Sequence, residues 1–298
     1  MRMAPPQMMD ARAALMLGTL ACLWGGTYLF VGVAVREVTP ITLVLTRLVI
    51  ASAILHGVRL AAGVALPASL WPRLLVMALV NNAIPFCLIF WAQTRIPVGL
   101  ASILNAATPV FGVIVAHLAR QEQLTGNRIA GVLAGFAGVA VLIGPSAFAG
   151  RGDWLAEGAC LLAAFSYGIS GAYARAALGG IPPLALAAGQ LTAAIALVAP
   201  VALIAEAPWT MPFPSPPVLG AVLALSVFST ALAYILFFNI LARAGATNLL
   251  LATFLIPIVA VLLGVVLLGE VLLARHLAGF ALVALGLAAI DGRLLRRA

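Results

Sequence analysis

Ten stretches of mostly apolar residues recur along this chain, cut by arginine, proline and acidic residues. Each is about as long as the 20 residues a helix needs to cross the hydrocarbon core of a bilayer. They are 13–35, 41–62, 73–94, 97–119, 127–145, 153–177, 183–205, 217–241, 246–268 and 275–291. Nothing else in the sequence restricts the fold so strongly. In lipid every backbone N–H and C=O must be satisfied inside the protein, and a helix does this along its own length. Composition agrees: 64% of residues are hydrophobic and 8% charged, against about 25% charged in a soluble domain. The fold class expected is an all-α integral membrane protein with ten transmembrane helices. The first stretch is too long for a signal-peptide core and nine more follow, so no cleavage is expected. The three cysteines lie in apolar runs and read as reduced.

The net charge of +8 comes from arginine, with no lysine. Most arginines are scattered singly between the apolar stretches, and no basic cluster precedes the final "GRLLRR", so nucleic acid is not an expected partner. With a cytoplasmic N-terminus, eleven arginines fall in inside segments and four in outside ones, with Arg47 inside the second stretch. That is the positive-inside pattern. An even number of spans then places both termini in the cytoplasm.

Sliding the chain by 148 residues lays the fourth and fifth stretches on the ninth and tenth without a gap. Arg95 meets Arg243, Pro109 meets Pro257, Glu122 meets Glu270, and Gly131 and Gly138 meet Gly279 and Gly286. At an offset of 143, Pro40 and Arg47 fall on Pro183 and Gln190. The chain therefore reads as two five-helix units, 1–145 and 146–298. Five is odd, so the second enters the membrane upside down, an inverted repeat of the kind found in secondary transporters.

The paired P…GE…G…G pattern at Pro109–Gly138 and Pro257–Gly286, the "LWGGTYL" of the first helix and the 5+5 layout resemble the drug/metabolite transporter superfamily, EamA type. Within it the chain is similar to bacterial amino-acid exporters. One departure is visible: Gln121–Glu122 stands where "GE" is usual. The resemblance implies a bacterial cytoplasmic (inner) membrane protein working by alternating access. It implies a cavity lined by helices 1, 3, 4, 6, 8 and 9, with helices 5 and 10 as scaffold.

The stretch "ILNAATPVFG" at 103–112 places Asn105, Thr108 and Pro109 where apolar residues would be cheaper. Proline lacks the N–H that would bond the carbonyl four residues back, so Pro109 frees Asn105, Pro257 frees Thr253 and Pro85 frees Asn81. Such kinks are tolerable where the helix faces protein or a wet cavity. The 148-residue offset also pairs Asn82 with Thr230 and Phe86 with Tyr234. Each half thereby holds a polar group one helical turn from an aromatic ring. The expected substrate-binding residues are Trp24, Asn82, Phe86, Asn105, Tyr167, Thr230, Tyr234 and Thr253, with Pro85, Pro109 and Pro257 as helix kinks. Such a pocket suits a small zwitterion with a partly apolar side chain. The bland alternative is interhelical packing and hydrogen bonding, which uses the same residue types. For Arg47 two placements are open: snorkelling to the cytoplasmic side, or pairing with a carbonyl.

The expected function is a secondary transporter exporting small metabolites, amino acids foremost. Every acid lies near the end of a stretch, whereas proton-driven carriers bury an ionisable group in mid-membrane. A facilitated (uniport) carrier is the reading; a proton-coupled drug or other metabolite exporter is the alternative. A membrane-embedded enzyme would need a catalytic cluster, and none is found. His56, His117 and His276 have no metal-ligand spacing, so neither a metal nor a cofactor is expected. The expected partners are the bilayer and a small-molecule substrate, with a monomer ahead of a dimer.

Overall fold

The computed structural model describes residues 11–123, 125–143, 153–237, 239–240 and 252–290. Among the described residues the chain is built of ten helical segments: α1 Ala11–Ala34, α2 Pro40–Ala61, α3 Ala68–Ala92, α4 Val98–Leu118, α5 Gly126–Ile143, α6 Trp154–Ala177, α7 Pro183–Glu206, α8 Pro216–Phe237, α9 Ala252–Leu268 and α10 Ala274–Ile290. Each of the ten apolar stretches falls on one of them. Seven are long and apolar enough to cross a membrane, whereas α5, α9 and α10 are shorter apolar helices. The start of the expected ninth span, 246–251, lies outside the described residues.

Proline opens α2, α7 and α8, where its missing N–H is an orphan anyway. Large apolar side chains of the helices point outward: Leu60, Leu133, Leu162, Leu262 and Val266 are all exposed. A water-soluble protein does not present so much apolar surface; lipid covers it here. Inside, one apolar core extends through α1–α8 and into α9 and α10.

Helix partnering is orderly. α1 packs on α9 and α8, while α6 packs on α4 and α3; α2 packs on α7, and α5 on α10. The last pair meets backbone to backbone. A Cβ on Gly286 would lie 2.5 Å from the Gly131 carbonyl oxygen, and one on Gly138 would lie 2.7 Å from that of Gly279. Glycine alone permits so close a crossing.

Carboxylates fasten one end of the molecule. Glu206, closing α7, accepts from the N–H groups of Ile41 (3.1 Å) and Thr42 (2.7 Å) and from the Thr39 and Thr42 hydroxyls, at the start of α2. Glu270, after α9, accepts from Val98 (2.6 Å) and Gly99 (3.1 Å) at the start of α4. Glu37, after α1, accepts from the backbone and hydroxyl of Ser215 before α8, both at 2.7 Å. Asp153 caps α6 through Ala156 and pairs with Arg95 at 3.1 Å. Helix N-termini leave N–H groups without partners, and an anion there is favoured by the dipole as well. At the opposite end Glu122 pairs with Arg128 (2.9 Å) and Arg175 (3.6 Å).

The departure at Gln121 is absorbed locally. In the loop after α9, Gly269 takes φ +67°; in the matching loop Arg120 takes φ +56°. The left-handed turn exists in both loops, moved by one residue and carried by a side chain that ordinarily avoids it.

Candidate functional site

Two helices widen at positions the 148-residue offset aligns. α3 makes a π-turn at Leu79–Ala83 and α8 makes one at Val227–Leu232. In α3 Pro85 stands two residues beyond it and offers no N–H to the Asn81 carbonyl inside the turn. In α8 the prolines stand only at its start, away from the π-turn, and the Thr230 hydroxyl instead donates to the Leu225 carbonyl at 2.8 Å. Each π-turn turns a polar pair inward: Asn81 and Asn82 in α3, Ser229 and Thr230 in α8. Such turns frequently mark functional sites.

Between them stands Arg47 of α2, 4% exposed. It does not snorkel to an end, and among the described residues it meets no carbonyl, the two placements the sequence had left open. Its Nε donates to the Thr230 hydroxyl at 2.7 Å. Its guanidinium lies over the Phe86 ring, 4.1 Å from the centroid, and 5.6 Å from that of Phe90. Phe86 stacks on Phe90 at 6.2 Å. The titratable groups within electrostatic reach are the hydroxyls of Tyr28, Tyr167 and Tyr234. Cation–π contact and a hydroxyl compensate part of the charge. Among the described residues no carboxylate pairs with it.

A second network adjoins. Asn81 donates to Gln190 of α7 (3.4 Å) and to the Tyr234 hydroxyl (3.5 Å), and Asn82 donates to the same hydroxyl at 3.3 Å. Ser170 donates to the side-chain amide oxygen of Asn81 at 2.9 Å. Asn105 of α4 faces the Tyr28 hydroxyl. The side-chain carbonyl oxygens of Asn82 and Asn105 are buried without a hydrogen-bond partner among the described residues.

Of the eight expected binding residues, Asn82, Phe86, Tyr167, Thr230 and Tyr234 gather here, and Asn105 joins through Tyr28. Asn82 and Thr230 are wholly sealed (0% exposed) in this conformation. Asn105, Tyr167 and Tyr234 are half-buried. Trp24 does not join the group. It sits 5.6 Å from Phe237 in a separate apolar cluster with Leu17, Leu20 and Ala233. The side chain of Thr253 lies outside the described residues.

The prolines act less uniformly than expected. Pro109 does not merely kink α4: the helix breaks at Ala106–Ala107 and restarts at Thr108. The Asn105 carbonyl it leaves is not free, because the Thr108 hydroxyl donates to it at 2.7 Å. Pro85 is absorbed by the π-turn. Pro257 lies inside α9, which continues through it.

Six participants were not among the expected site residues: Asn81, Phe90 and Ser170, and Tyr28, Gln190 and Arg47. Tyr28 is part of "LWGGTYL", Gln190 is the residue aligned with Arg47, and Arg47 is the one charge deep in an apolar run. An intramembrane charge is by itself a functional signal. A cavity of about 300 Å³ lies away from this cluster, at the end fastened by Glu270, among Gly32, Arg36, Gln93, Val98 and Leu268. Gln93 is buried there with no partner for its amide among the described residues.

Comparison with known proteins places these features. The model of the EamA-like transporter family matches residues 11–144 and 154–290. The uncharacterized transporter YvbV of Bacillus subtilis is 27% identical over 297 residues, covering 96% of this chain and 93% of that one. The PecM protein of Dickeya dadantii is 26% identical, covering 91% and 89%. A solved crystal structure superposes with a TM-score of 0.67 at 22% identity, covering 97% of this chain and 99% of the other. At that identity it speaks for the fold alone. The chain is thus a multi-pass membrane protein of the small-molecule transporter type, and it belongs to the EamA-like transporter family.

Proposed function

We propose that this protein exports small metabolites, amino acids first among them, from the bacterial cytoplasm across the inner membrane. It does so as a facilitated carrier, by alternating access. One observation carries this reading. Seven helices, α1, α2, α3, α4, α6, α7 and α8, converge on a cluster of polar and aromatic side chains inside a largely apolar molecule. Two buried amide oxygens there lack partners among the described residues. Buried polar groups without partners are expensive, and a passing substrate is what would meet them. Asn82, Phe86, Asn105, Tyr167, Thr230 and Tyr234 are the proposed substrate contacts. Trp24 and Thr253 remain proposed at its margin.

The helix partnering supports a two-unit architecture. Exchanging α1–α5 for α6–α10 turns each pair named above into another, or into itself. Two related bundles packed this way can rock about a site between them. The carboxylate-fastened end is the proposed outer face, and both termini are proposed to lie inside.

Purified protein in liposomes, assayed for counterflow of a panel of labelled amino acids, tests the reading. Accelerated exchange of at least one, with no imposed pH gradient, is expected. Exchange of none sinks the amino-acid reading. Proton coupling has one observation in its favour: Glu157, in the first turn of α6, is buried with one carboxylate oxygen unpartnered among the described residues. Strict dependence on a proton gradient that is lost in Glu157→Gln would establish that alternative.

A further inference from the structure

Arg47 invites a question the family does not answer: why a full positive charge rather than a neutral donor? Taking a guanidinium out of water is costly unless a counter-charge and full hydrogen bonding compensate it. Among the described residues one of its five N–H groups has a hydrogen-bond partner, Thr230, and its electrostatic neighbours are phenols.

The repeat supplies a control. At an offset of 143 the residue aligned with Arg47 is Gln190. Arg47 bridges α2 to the π-turn of α8; Gln190 bridges α7 to the π-turn of α3 through Asn81. The same helix-to-helix link is made with charge in one half and without it in the other. Bridging therefore does not require the cation.

We propose that Arg47 is the anchor for a carboxylate on the substrate, its free N–H groups forming a charge-assisted pair with it. The unpartnered amide oxygens of Asn82 and Asn105 then accept from the substrate's ammonium. This rests on the transport reading above and narrows it. The site takes substrates that bear a carboxylate, alone or beside an amine, and rejects the corresponding amine. Phe86 and Phe90 sit against the guanidinium, and the neutral phenols leave its charge for the ligand.

The test uses L-phenylalanine and L-leucine, each with its deaminated acid and its decarboxylated amine. Ligand-induced shifts in melting temperature are measured on detergent-purified protein. The amino acids and acids should raise the melting temperature and the amines should not. Arg47→Gln, which installs the residue found at the aligned position, should need at least about 10-fold more ligand for the same shift. Arg47→Lys should fall between. Without ligand, Arg47→Gln should melt no lower than wild type, because an uncompensated charge has been removed. Equal shifts from the amines, no shift from any carboxylate, or unchanged ligand response in Arg47→Gln would each overturn the proposal. So would a lower ligand-free melting temperature in Arg47→Gln with the ligand response intact, which would mark Arg47 as structural. If liposomes exchange no amino acid yet the Arg47-dependent carboxylate shift is seen, the anchor stands and the amino-acid reading fails.

Discussion

Single residues here answer problems that their neighbours create. Pro109 deprives the Asn105 carbonyl of its helical partner, and the Thr108 hydroxyl replaces it at 2.7 Å. Thr108→Ala should therefore destabilise the protein by about 1 kcal/mol. In a Pro109→Ala background, where a backbone N–H is available again, the same change should cost clearly less. A double-mutant cycle on melting temperature reads the difference, and strict additivity would show the two residues to be uncoupled. Arg120 presents the opposite case, a strain left in place. Its φ of +56° is one that glycine holds without penalty. Arg120→Gly should raise stability by roughly 0.5 to 1 kcal/mol and leave counterflow unchanged. A lower melting temperature would mean that the Arg120 side chain matters more than its backbone.

At the scale of helices, the acids that composition made so scarce are spent on helix ends. Glu206, Glu270 and Glu37 each reach the start of a helix distant in sequence, while Asp153 caps its own. The two hydrogen bonds from Ser215 hold the Glu37 carboxyl below the usual carboxylate range. The Ala156 N–H and Arg95 do the same for Asp153. A folded pKa below the unfolded one means stability that is full above the ordinary carboxylate value, about 4, and that is lost as pH falls through the folded value. Melting temperature should then be steady from neutral pH to about 5 and decline below about 4. The gap between wild type and Glu37→Gln should close over that same interval. A gap that persists at low pH would show that Glu37 contributes through something other than its charge.

For the whole molecule the decisive issue is sidedness. The contacts gather residues 37, 39, 41, 42, 95, 98, 99, 153, 206, 215 and 270 at one end, and 73, 121, 122, 128, 172, 175 and 177 at the other. This is the grouping that the arginine bias demands if the chain alternates sides. Single cysteines at Ser69 and Phe213, both exposed, should label from opposite sides of the membrane once Cys22, Cys87 and Cys160 are replaced. Phe213→Cys is expected to label from outside. Labelling of both from one side would overturn the alternation.

Hydrophobic length is local information, so the fold class was legible residue by residue. Each apolar stretch of about 20 residues specifies a spanning helix whatever else the chain does. The 148-residue offset was legible for the same reason, as prolines, glycines and acids leave marks that need no neighbour to be read. It aligned Asn82 with Thr230 and Phe86 with Tyr234, and all four enter the central site. What could not be read was which side chain meets which. The Thr108 hydroxyl reclaiming a carbonyl, Trp24 turning toward Phe237, and Glu206 reaching back to Thr42 depend on how helices far apart in sequence rotate and approach. Arg47 shows the limit most clearly. Two turns into α2, its charge had an exit to either face by length alone. Only the closure of α3 and α8 around it, with Phe86 below and Thr230 beside, decided that it stays in the middle.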